Sequence, residues 1–391
     1  MHVFLSVGEP SGDEHAAALM RHFRSREPGV RFSGFGGPEM QSQGLDCLFQ
    51  LTDLAVMGID QILPLIQKFR SLVQKAEEFF HRERPDAVVL VDFPGFNWWV
   101  ARAAKRANVP VYYYCPPQLW AWAPWRIRKA RRLIDCVLSV LPFEAEWYQS
   151  RGVDVEYVGH PFFDEVAEHP ISPDEIQSLR RDGKIHLGIL PGSRKQEVLR
   201  NFPVMLNVIE ELSGKHPNLR CMVACYKEWH FEKCQELLDK YETSLPVDLY
   251  LDRTSAVIES SDCCLMVSGS VSLELLARKT PAVVMYRGSL MTYILATALL
   301  TVEFMSLPNL IAGRELMPEY PVVRSRSRYI REMTKDLDQL ISNPEDLNAM
   351  KSEISNLADQ IVEVGGLARA AEVLHNRLRK AESSGERKRA A

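Results

Sequence analysis

Short apolar runs rich in β-branched residues alternate along the chain with longer segments whose apolar positions recur at helical spacing. The short runs are continuously apolar rather than alternately apolar and polar, which is typical of parallel strands buried on both faces. The longer segments, for example residues 16–24 and 98–107, predict amphipathic helices between the strands. This succession predicts an α/β fold built of doubly wound parallel sheets.

The strand pattern occurs twice, which predicts two tandem Rossmann-like domains facing across a cleft. Between the two series, a polar segment over 167–183 predicts a linker and a first helix. The predicted strands are 3–7, 32–35, 87–92, 111–115, 136–140 and 155–158, followed by 185–190, 220–224, 247–251, 263–267 and 282–285. The predicted division is an N-terminal domain over 1–165, a second domain over 166–345, C-terminal helices over 346–380 that pack back on the first domain, and a disordered tail over 381–391.

Charge and apolar run lengths narrow the class of protein. The 391 residues carry 47 basic and 51 acidic side chains, so the formal net charge is −4. This balance argues against nucleic-acid binding, and any anion site must be local. The N-terminus has no basic segment typical of a signal peptide, and the longest apolar stretch, 290–302, is shorter than the about 20 residues that span a bilayer. We expect a cytoplasmic protein, with 290–302 as a buried helix.

The eight cysteines are scattered, and none forms a CxxC pair. Several lie inside apolar runs, which favours reduced thiols that fill the core over a disulfide framework or a zinc site. The histidines show no metal-ligand spacing either.

Ligands of parallel sheets bind beyond the carboxyl ends of the strands, so the residues after each strand are candidates for function. The sequence GEPSGD follows the first strand, where Gly8 and Gly12 would allow a ligand close to the backbone. The alternative is a tight turn that binds nothing. Asp92 ends the strand AVVLVD, at a place suited to a general base, or to a cap for the next helix.

Aromatic residues and prolines between Tyr112 and Trp122 predict a stiff, flat surface after the next strand. Five cations follow between Arg126 and Arg132. A solvated helix face explains these cations, and contact with phosphate or an anionic lipid is the alternative.

Two loops of the second domain suit phosphate groups. Gly192, Ser193 and Arg194 follow a strand in the sequence LPGSR, where backbone N–H groups and a guanidinium favour a diphosphate. Ser268, Gly269 and Ser270 open a helix, and Glu274 lies one turn further on, in reach of a ribose hydroxyl. Together they predict a nucleotide site, and the absence of GxxxxGK[ST] excludes a P-loop NTPase.

The segment 59–73 predicts a helix with one apolar stripe, formed by Ile62, Leu65, Ile66, Phe69, Leu72 and Val73. Lys68 and Arg70 are interspersed. The stripe is either core or a surface that touches lipid.

Nine motifs, in order and at the expected spacing, resemble the lipid-A-disaccharide synthase family from residue 1 to about 375. They are GEPSGD, LAVMGI (54–59), VDFPGFN, WAW (120–122), LPFE (141–144), VGHP, LPGSR, SGSVSLE and SLPNLIAGRE (306–315). The resemblance implies a two-domain GT-B glycosyltransferase that needs no metal and no cofactor.

The implied reaction is the inverting transfer of 2,3-diacylglucosamine from UDP-2,3-diacylglucosamine to the 6-hydroxyl of 2,3-diacylglucosamine 1-phosphate. Its products are a β-1′,6-linked disaccharide and UDP, within lipid A biosynthesis. The resemblance also implies peripheral association with the inner face of the cytoplasmic membrane, and it leaves a homodimer open.

The resemblance implies a role for each matching residue. Asp92 would be the general base, Arg194 would stabilise charge on the departing UDP, and Asn309 would hold the donor. Gly8, Glu9, Ser11, Gly12, Trp120 and Trp122 would lie on the acceptor side, and Gly192, Ser193, Arg194, Ser268, Gly269, Ser270 and Glu274 would bind the donor. Ile62, Leu65, Ile66, Lys68, Phe69 and Arg70 would contact acyl chains and membrane. Two positions depart from the family pattern: Gly95 stands where an acid is common, and Cys115-Pro116-Pro117-Gln118 replaces a stretch containing Ser-Pro.

Three alternatives share some of these features. A UDP-N-acetylhexosamine epimerase has the same donor loops but needs no lipid-facing helix. A two-lobed binding protein closes on a ligand without chemistry, but such proteins are usually exported. A membrane-docking scaffold would leave the two nucleotide loops without a purpose.

Overall fold

A computed structural model of the chain describes residues 1–55, 62–241, 244–287, 302–323 and 326–389. At positions 55, 62–65 and 381–389 only the backbone is described. Three predictions fall wholly or partly outside these residues: the motif at 54–59, the start of the helix predicted over 59–73, and the helix predicted over 290–302.

The strands form two sheets in which every recorded pairing is parallel. The first has the order β3-β2-β1-β4-β5-β6-β7 and the second β10-β9-β8-β11-β12-β13. Both orders reverse beside the first strand of the sheet, so the predicted doubly wound α/β fold is confirmed. The strands are β1 His2–Val7, β2 Arg31–Gly36, β3 Leu45–Gln50, β4 Ala87–Val91, β5 Val111–Tyr114, β6 Cys136–Ser139, β7 Val155–Tyr157, β8 Ile185–Leu190, β9 Leu219–Cys225, β10 Val247–Leu251, β11 Cys263–Val267, β12 Ala282–Arg287 and β13 Glu319–Val322.

Two strands, β3 and β13, are absent from the predicted set. Each is an edge strand of its sheet, and most of its residues are half-buried. Neither has the continuous apolar run that reveals a central strand, because β3 includes Asp46 and Gln50, and β13 includes Glu319 and Pro321, a proline that an edge position tolerates.

The helices are α1 Pro10–Arg26, α2 Pro38–Ser42, α3 Thr52–Ala55, α4 Ile62–Glu83, α5 Pro94–Arg106, α6 Leu119–Trp122, α7 Ile127–Leu133, α8 Pro142–Gln149, α9 Pro161–Glu168, α10 Pro173–Leu179, α11 Lys195–Ser213, α12 Glu228–Leu238, α13 Thr254–Ser260, α14 Val271–Ala277, α15 Leu307–Ala312, α16 Arg326–Ser342, α17 Pro344–Ile361 and α18 Gly366–Arg389. Many begin with proline in the first turn, where its missing N–H has no helical partner to lose.

The chain separates into two compact units, Met1–Asp164 with Glu363–Ala391, and Glu165–Val362. Helix α17 therefore belongs to the second unit, and the prediction that all of 346–380 packs on the first domain is wrong for this helix. The predicted disordered tail also differs, because α18 continues to Arg389. The glutamates, arginines and lysines of this tail are good helix formers, and extending an existing helix costs less than starting one.

Asp13, at the end of the GEPSGD turn after β1, has a structural role. Its carboxylate does not cap α1; it accepts hydrogen bonds from the backbone N–H groups of Gly37 at 2.7 Å, Glu39 at 2.9 Å and Met40 at 3.3 Å. These N–H groups open α2, which has no earlier turn to satisfy them. A buried carboxylate thus joins the first two βα units.

We expect Asp13→Ala to lower the free energy of unfolding by about 3 kcal/mol, since three backbone donors, two of them buried, lose one charged acceptor. Denaturant unfolding measures the change. Asp53→Ala is the matched control, because Asp53 is exposed and accepts only a surface hydrogen bond from Gln50. A loss no greater than that of the control would show that the α2 cap contributes nothing.

Candidate functional site

The loops after β1 and β4 touch each other at the carboxyl end of the first sheet. These strands are neighbours, with Val7 opposite Val91. A Cβ atom on Gly8 would lie 2.3 Å from Cδ1 of Phe93, so only glycine fits there. Gly12 is also buried, Glu9 is half-buried, and Ser11 is exposed. The glycine of this turn makes room for a protein side chain, Phe93, at the base of the candidate acceptor loop.

Asp92 is half-buried and follows β4 in a left-handed backbone conformation with φ 46°, and Phe93 follows with φ 47°. Two such residues in succession are costly and persist only when neighbours hold them. Here Nδ2 of Asn97 and the hydroxyl of Tyr113 each donate to the carbonyl oxygen of Asp92 at 2.7 Å. The N-cap of α5 is Phe93, and no side chain caps that helix. The structure thus gives no support to Asp92 as a cap.

The aromatic stretch after β5 is less exposed than predicted. Tyr113 and Tyr114 are fully buried in the sheet. Trp120 is buried as well, and its indole N–H donates to Oε1 of Glu144 at 3.0 Å. Trp122 is half-buried, with the guanidinium of Arg126 4.5 Å from its ring centre. The prediction of a flat surface is therefore wrong for the tyrosines, because they lie inside the buried strand β5.

Glu144 lies in the motif LPFE and is absent from the predicted site residues. Its carboxyl group is 1% exposed and accepts from Trp120 and from the hydroxyl of Ser139 at 2.8 Å. Burial raises the pKa of this carboxyl to about 7, against the lowering effect of its hydrogen bonds. The sequence contains one signal for Glu144: its motif includes a glutamate but no lysine or arginine that could pair with it.

The LPGSR loop after β8 is held by Glu197, which is absent from the predicted site residues. Oε2 of Glu197 accepts from the backbone N–H groups of Ser193 at 3.1 Å and Arg194 at 3.2 Å. Gly192 has φ 115°, and a Cβ atom there would lie 2.6 Å from the same oxygen. The Arg194 side chain is 77% exposed and approaches the other oxygen at 3.4 Å. The two amides expected to receive a diphosphate are thus already bonded to a carboxylate, while the guanidinium stays accessible.

The second predicted phosphate loop follows β11. Gly269 and Ser270 are exposed, and a Cβ atom on Gly269 would meet nothing within 4 Å. Ser268 is half-buried, and its hydroxyl donates to the carbonyl of Met305 at 3.0 Å. This contact ties the loop to the segment before α15.

Glu274 and Asn309, both predicted to contact the donor, are buried in this structure. Oε1 of Glu274 accepts from Nε of Arg278 at 2.9 Å, so an ion pair engages this carboxylate. Its predicted hydrogen bond to a ribose stays a prediction.

Asn309 is 0% exposed, and its side-chain amide has no hydrogen-bonding capacity left. Nδ2 donates to the Met317 carbonyl at 2.8 Å and to Glu319 at 2.7 Å, while Oδ1 accepts from Leu316 at 2.8 Å and Met317 at 2.9 Å. These bonds fix the loop between α15 and β13. The expectation that Asn309 holds the donor stays a prediction.

The apolar stripe of α4 divides between surface and core. Ile66 and Arg70 are exposed, whereas Leu72 is buried. Phe69 is half-buried and packs with Phe93 and Phe96, at ring-centre distances of 6.1 Å and 5.3 Å. Lys68 lies 4.4 Å from the ring centre of Phe49. The side chains of Ile62 and Leu65 lie outside the described part.

The structure brings the acceptor-side residues together in the first unit and the donor-loop residues in the second. Among the residues described, no three His, Cys, Asp or Glu side chains are grouped so that they could hold a metal ion. A search of the same residues for a helix of the length and apolarity needed to cross a bilayer finds none.

Solved structures share this fold. A co-structure of S. aureus MnaA with UDP has a TM-score of 0.61 at 16% identity, covering 96% of this chain and 95% of that one. Glycyrrhiza uralensis UGT73P12, complexed with glycyrrhetinic acid 3-O-monoglucuronide, has a TM-score of 0.62 at 10% identity, covering 100% and 97%. At these identities the likeness shows the fold alone. It assigns the two parallel-sheet units to the GT-B class, as predicted.

Sequence comparison defines the family within that class. The model of the LpxB, or lipid-A-disaccharide synthetase, family matches residues 3–363. The lipid-A-disaccharide synthase of Myxococcus xanthus (strain DK1622) is 37% identical over 324 residues, which are 81% of this chain and 82% of that protein. The synthase of Idiomarina loihiensis is 33% identical over 375 residues, 96% and 97% of the two chains. The chain belongs to the lipid-A-disaccharide synthase family and is a glycosyltransferase.

Proposed function

We propose that this protein transfers 2,3-diacylglucosamine from UDP-2,3-diacylglucosamine to the 6-hydroxyl of 2,3-diacylglucosamine 1-phosphate. The family match over residues 3–363 carries this proposal, because it includes the strand-end loops of both units. The products are the β-1′,6-linked disaccharide 1-phosphate and UDP.

In this mechanism Asp92 is the general base. Its carboxylate takes the proton of the acceptor 6-hydroxyl while the oxygen attacks the anomeric carbon. The bond from that carbon to the diphosphate breaks on the opposite face, and its electron pair leaves with UDP, so the configuration inverts. The tightly held backbone of Asp92 supports this role, since a base must be kept in a fixed position.

Arg194 is proposed to meet the charge that develops on the diphosphate. Its exposed guanidinium can bind two phosphate oxygens at once. The exposed Gly269-Ser270 turn at the start of α14 would offer further backbone donors. We propose that these groups suffice without an essential metal ion or cofactor.

The acylated substrates are proposed to be reached at the inner surface of the cytoplasmic membrane. Trp99 and Trp125 are large apolar side chains that are 56% and 59% exposed. The guanidinium of Arg102 lies 5.2 Å from the ring centre of Trp99. Tryptophan beside cations is the composition that binds the interface of an anionic bilayer.

We expect Trp99→Ser with Trp125→Ser to reduce sedimentation with anionic liposomes by about tenfold or more, because two large apolar side chains leave the interface. Leu251→Ser is the control, since Leu251 is also exposed but lies in the second unit. Equal sedimentation of the wild type, the double variant and the control would rule out these tryptophans as membrane contacts. Adding Ile66→Ser tests the exposed end of the α4 stripe in the same assay.

A mass-spectrometric assay of the purified protein tests the proposed reaction. With both acylated substrates we expect the disaccharide 1-phosphate and UDP in equal amounts. UDP-N-acetylglucosamine alone should stay unchanged. Its conversion, with no disaccharide formed from the acylated pair, would instead identify an epimerase.

A further inference from the structure

The mechanism above makes no use of the buried carboxyl group of Glu144. This residue lies in the first turn of α8, directly after β6. Its two oxygens have different partners: Oε1 accepts from the indole N–H of Trp120 at 3.0 Å, and Oε2 from the hydroxyl of Ser139 at 2.8 Å. A buried charge with only neutral donors is costly.

Ser139 offers a way to remove that charge without moving a side chain. Its Oγ lies 2.8 Å from Oε2 of Glu144 and also 3.1 Å from the carbonyl oxygen of Leu141. When the carboxyl group is ionised, the serine hydroxyl donates to it. When the group takes a proton from water, Oε2–H donates to Oγ, and the serine hydroxyl turns to donate to Leu141. In both states Oε1 still accepts from Trp120.

Strand register places this group near Asp92. Val91 pairs with Tyr114, and Tyr114 pairs with Leu138. The next residues, Asp92, Cys115 and Ser139, therefore stand side by side at three adjacent strand ends. With strands about 4.8 Å apart, the Cα atoms of Asp92 and Ser139 are separated by roughly 10 Å.

The titratable groups that face Glu144 come from the elements around it. They are Asp92 after β4, Cys115 after β5, and Tyr148 on α8 itself. Burial holds the pKa of the Cys115 thiol and the Tyr148 hydroxyl well above their usual values, so both are neutral near pH 7. The charge that Glu144 meets is that of Asp92.

We propose that Glu144 is a positioning residue that exchanges a proton through rotation of the Ser139 hydroxyl, holding Trp120 in place while the negative charge beside Asp92 is removed or restored. The link to catalysis rests on the proposed role of Asp92 as the base. Like charges disfavour one another, so a protonated Glu144 makes it easier for Asp92 to be ionised and to act as a base.

The indole ¹H–¹⁵N resonance of Trp120 reports the exchange without any substrate. We expect it to titrate in the wild type with a midpoint near pH 7, the value to which burial raises the pKa of Glu144. The titration should disappear in Glu144→Gln and remain in Glu146→Gln, an exposed glutamate on the same helix. A resonance that is flat in the wild type, or that still titrates in Glu144→Gln, would overturn the proposal.

Glutamine fits this site, because its Nε2 can donate to Ser139 while Oε1 keeps the bond to Trp120. Ser139→Ala provides a second variant that retains the carboxyl group. It removes a donor that favours the ionised form, so the midpoint should rise. An unchanged or lower midpoint would contradict the role of the serine hydroxyl.

Kinetics test the link to Asp92. In the wild type we expect kcat to change across the same midpoint near pH 7 as the Trp120 resonance, because the ionised Glu144 carboxylate raises the proton affinity of Asp92. This step should disappear in Glu144→Gln, with KM nearly unchanged. A wild-type kcat profile without the step, or a step that persists in Glu144→Gln, would overturn the link. Failure of the proposed function looks different: if Asp92 is not the base, Asp92→Asn stays active while the Trp120 resonance still titrates.

Discussion

Asp92→Asn should lower kcat by about 10²–10⁴-fold and leave UDP binding close to that of the wild type. The substitution removes the proton acceptor but keeps the size of the side chain. Asparagine also tolerates the left-handed backbone of this position better than most residues. The carbonyl oxygen that accepts from Asn97 and Tyr113 is unaffected, so the loop should keep its conformation.

Steady-state rates with both substrates, together with calorimetric titration of UDP, measure the two parts of this prediction. Asp46→Asn is the matched control, because Asp46 is an exposed aspartate on the edge strand of the same sheet. If Asp92→Asn turns over at a rate near that of the control, Asp92 is only a turn residue and the base lies elsewhere.

The sequence was sufficient for the parts of the fold that depend on local pattern. Central strands such as β1 and β4 are buried on both faces and read as unbroken apolar runs. The edge strand β3 is only partly buried, and its pairing with β2 shifts register between Gly34 and Phe35. Nothing in a local window shows that such a segment belongs to a sheet.

The sequence predicts where the loops of the candidate site lie, but it does not predict which residues form hydrogen bonds with them. LPGSR predicts an anion-binding turn, yet the occupant of its backbone donors is Glu197, on the helix that follows. Asn309 is recognisable in its motif, but its four hydrogen bonds go to residues beyond α15. A motif identifies the residue type at a position, whereas burial depends on contacts that only the folded chain shows.

Helical periodicity predicts an apolar stripe but does not show which of its residues lie in the core and which on the surface. Ile66, Phe69 and Leu72 share one predicted stripe, and the structure finds them exposed, half-buried and fully buried in that order. From Ile66 onward the stripe turns from surface into core, because Phe69 and Leu72 pack into the cluster that contains Phe96. The spacing of apolar residues therefore does not show where along a helix the contact with the core begins.

Arg194→Ala should weaken UDP binding by about tenfold and lower kcat/KM by about 10²–10³-fold. The larger kinetic loss follows because the guanidinium meets more negative charge in the transition state than in the bound donor. The fold should be unaffected, since the side chain is 77% exposed and its contact with Glu197 is a surface ion pair. Thermal melting of the variant checks this point.

Two further variants make the assignment specific. Arg194→Lys keeps the charge but not the planar fork, so it should regain UDP affinity more fully than kcat. Arg200→Ala, which changes an exposed arginine further along α11, should behave as the wild type.

The wild type should also keep full activity in excess EDTA, because a guanidinium rather than a metal ion is proposed to balance the charge of the leaving diphosphate. Loss of turnover in EDTA would show that a metal ion, rather than Arg194, stabilises the departing UDP. A rise in KM with unchanged kcat in Arg194→Ala would limit Arg194 to substrate binding.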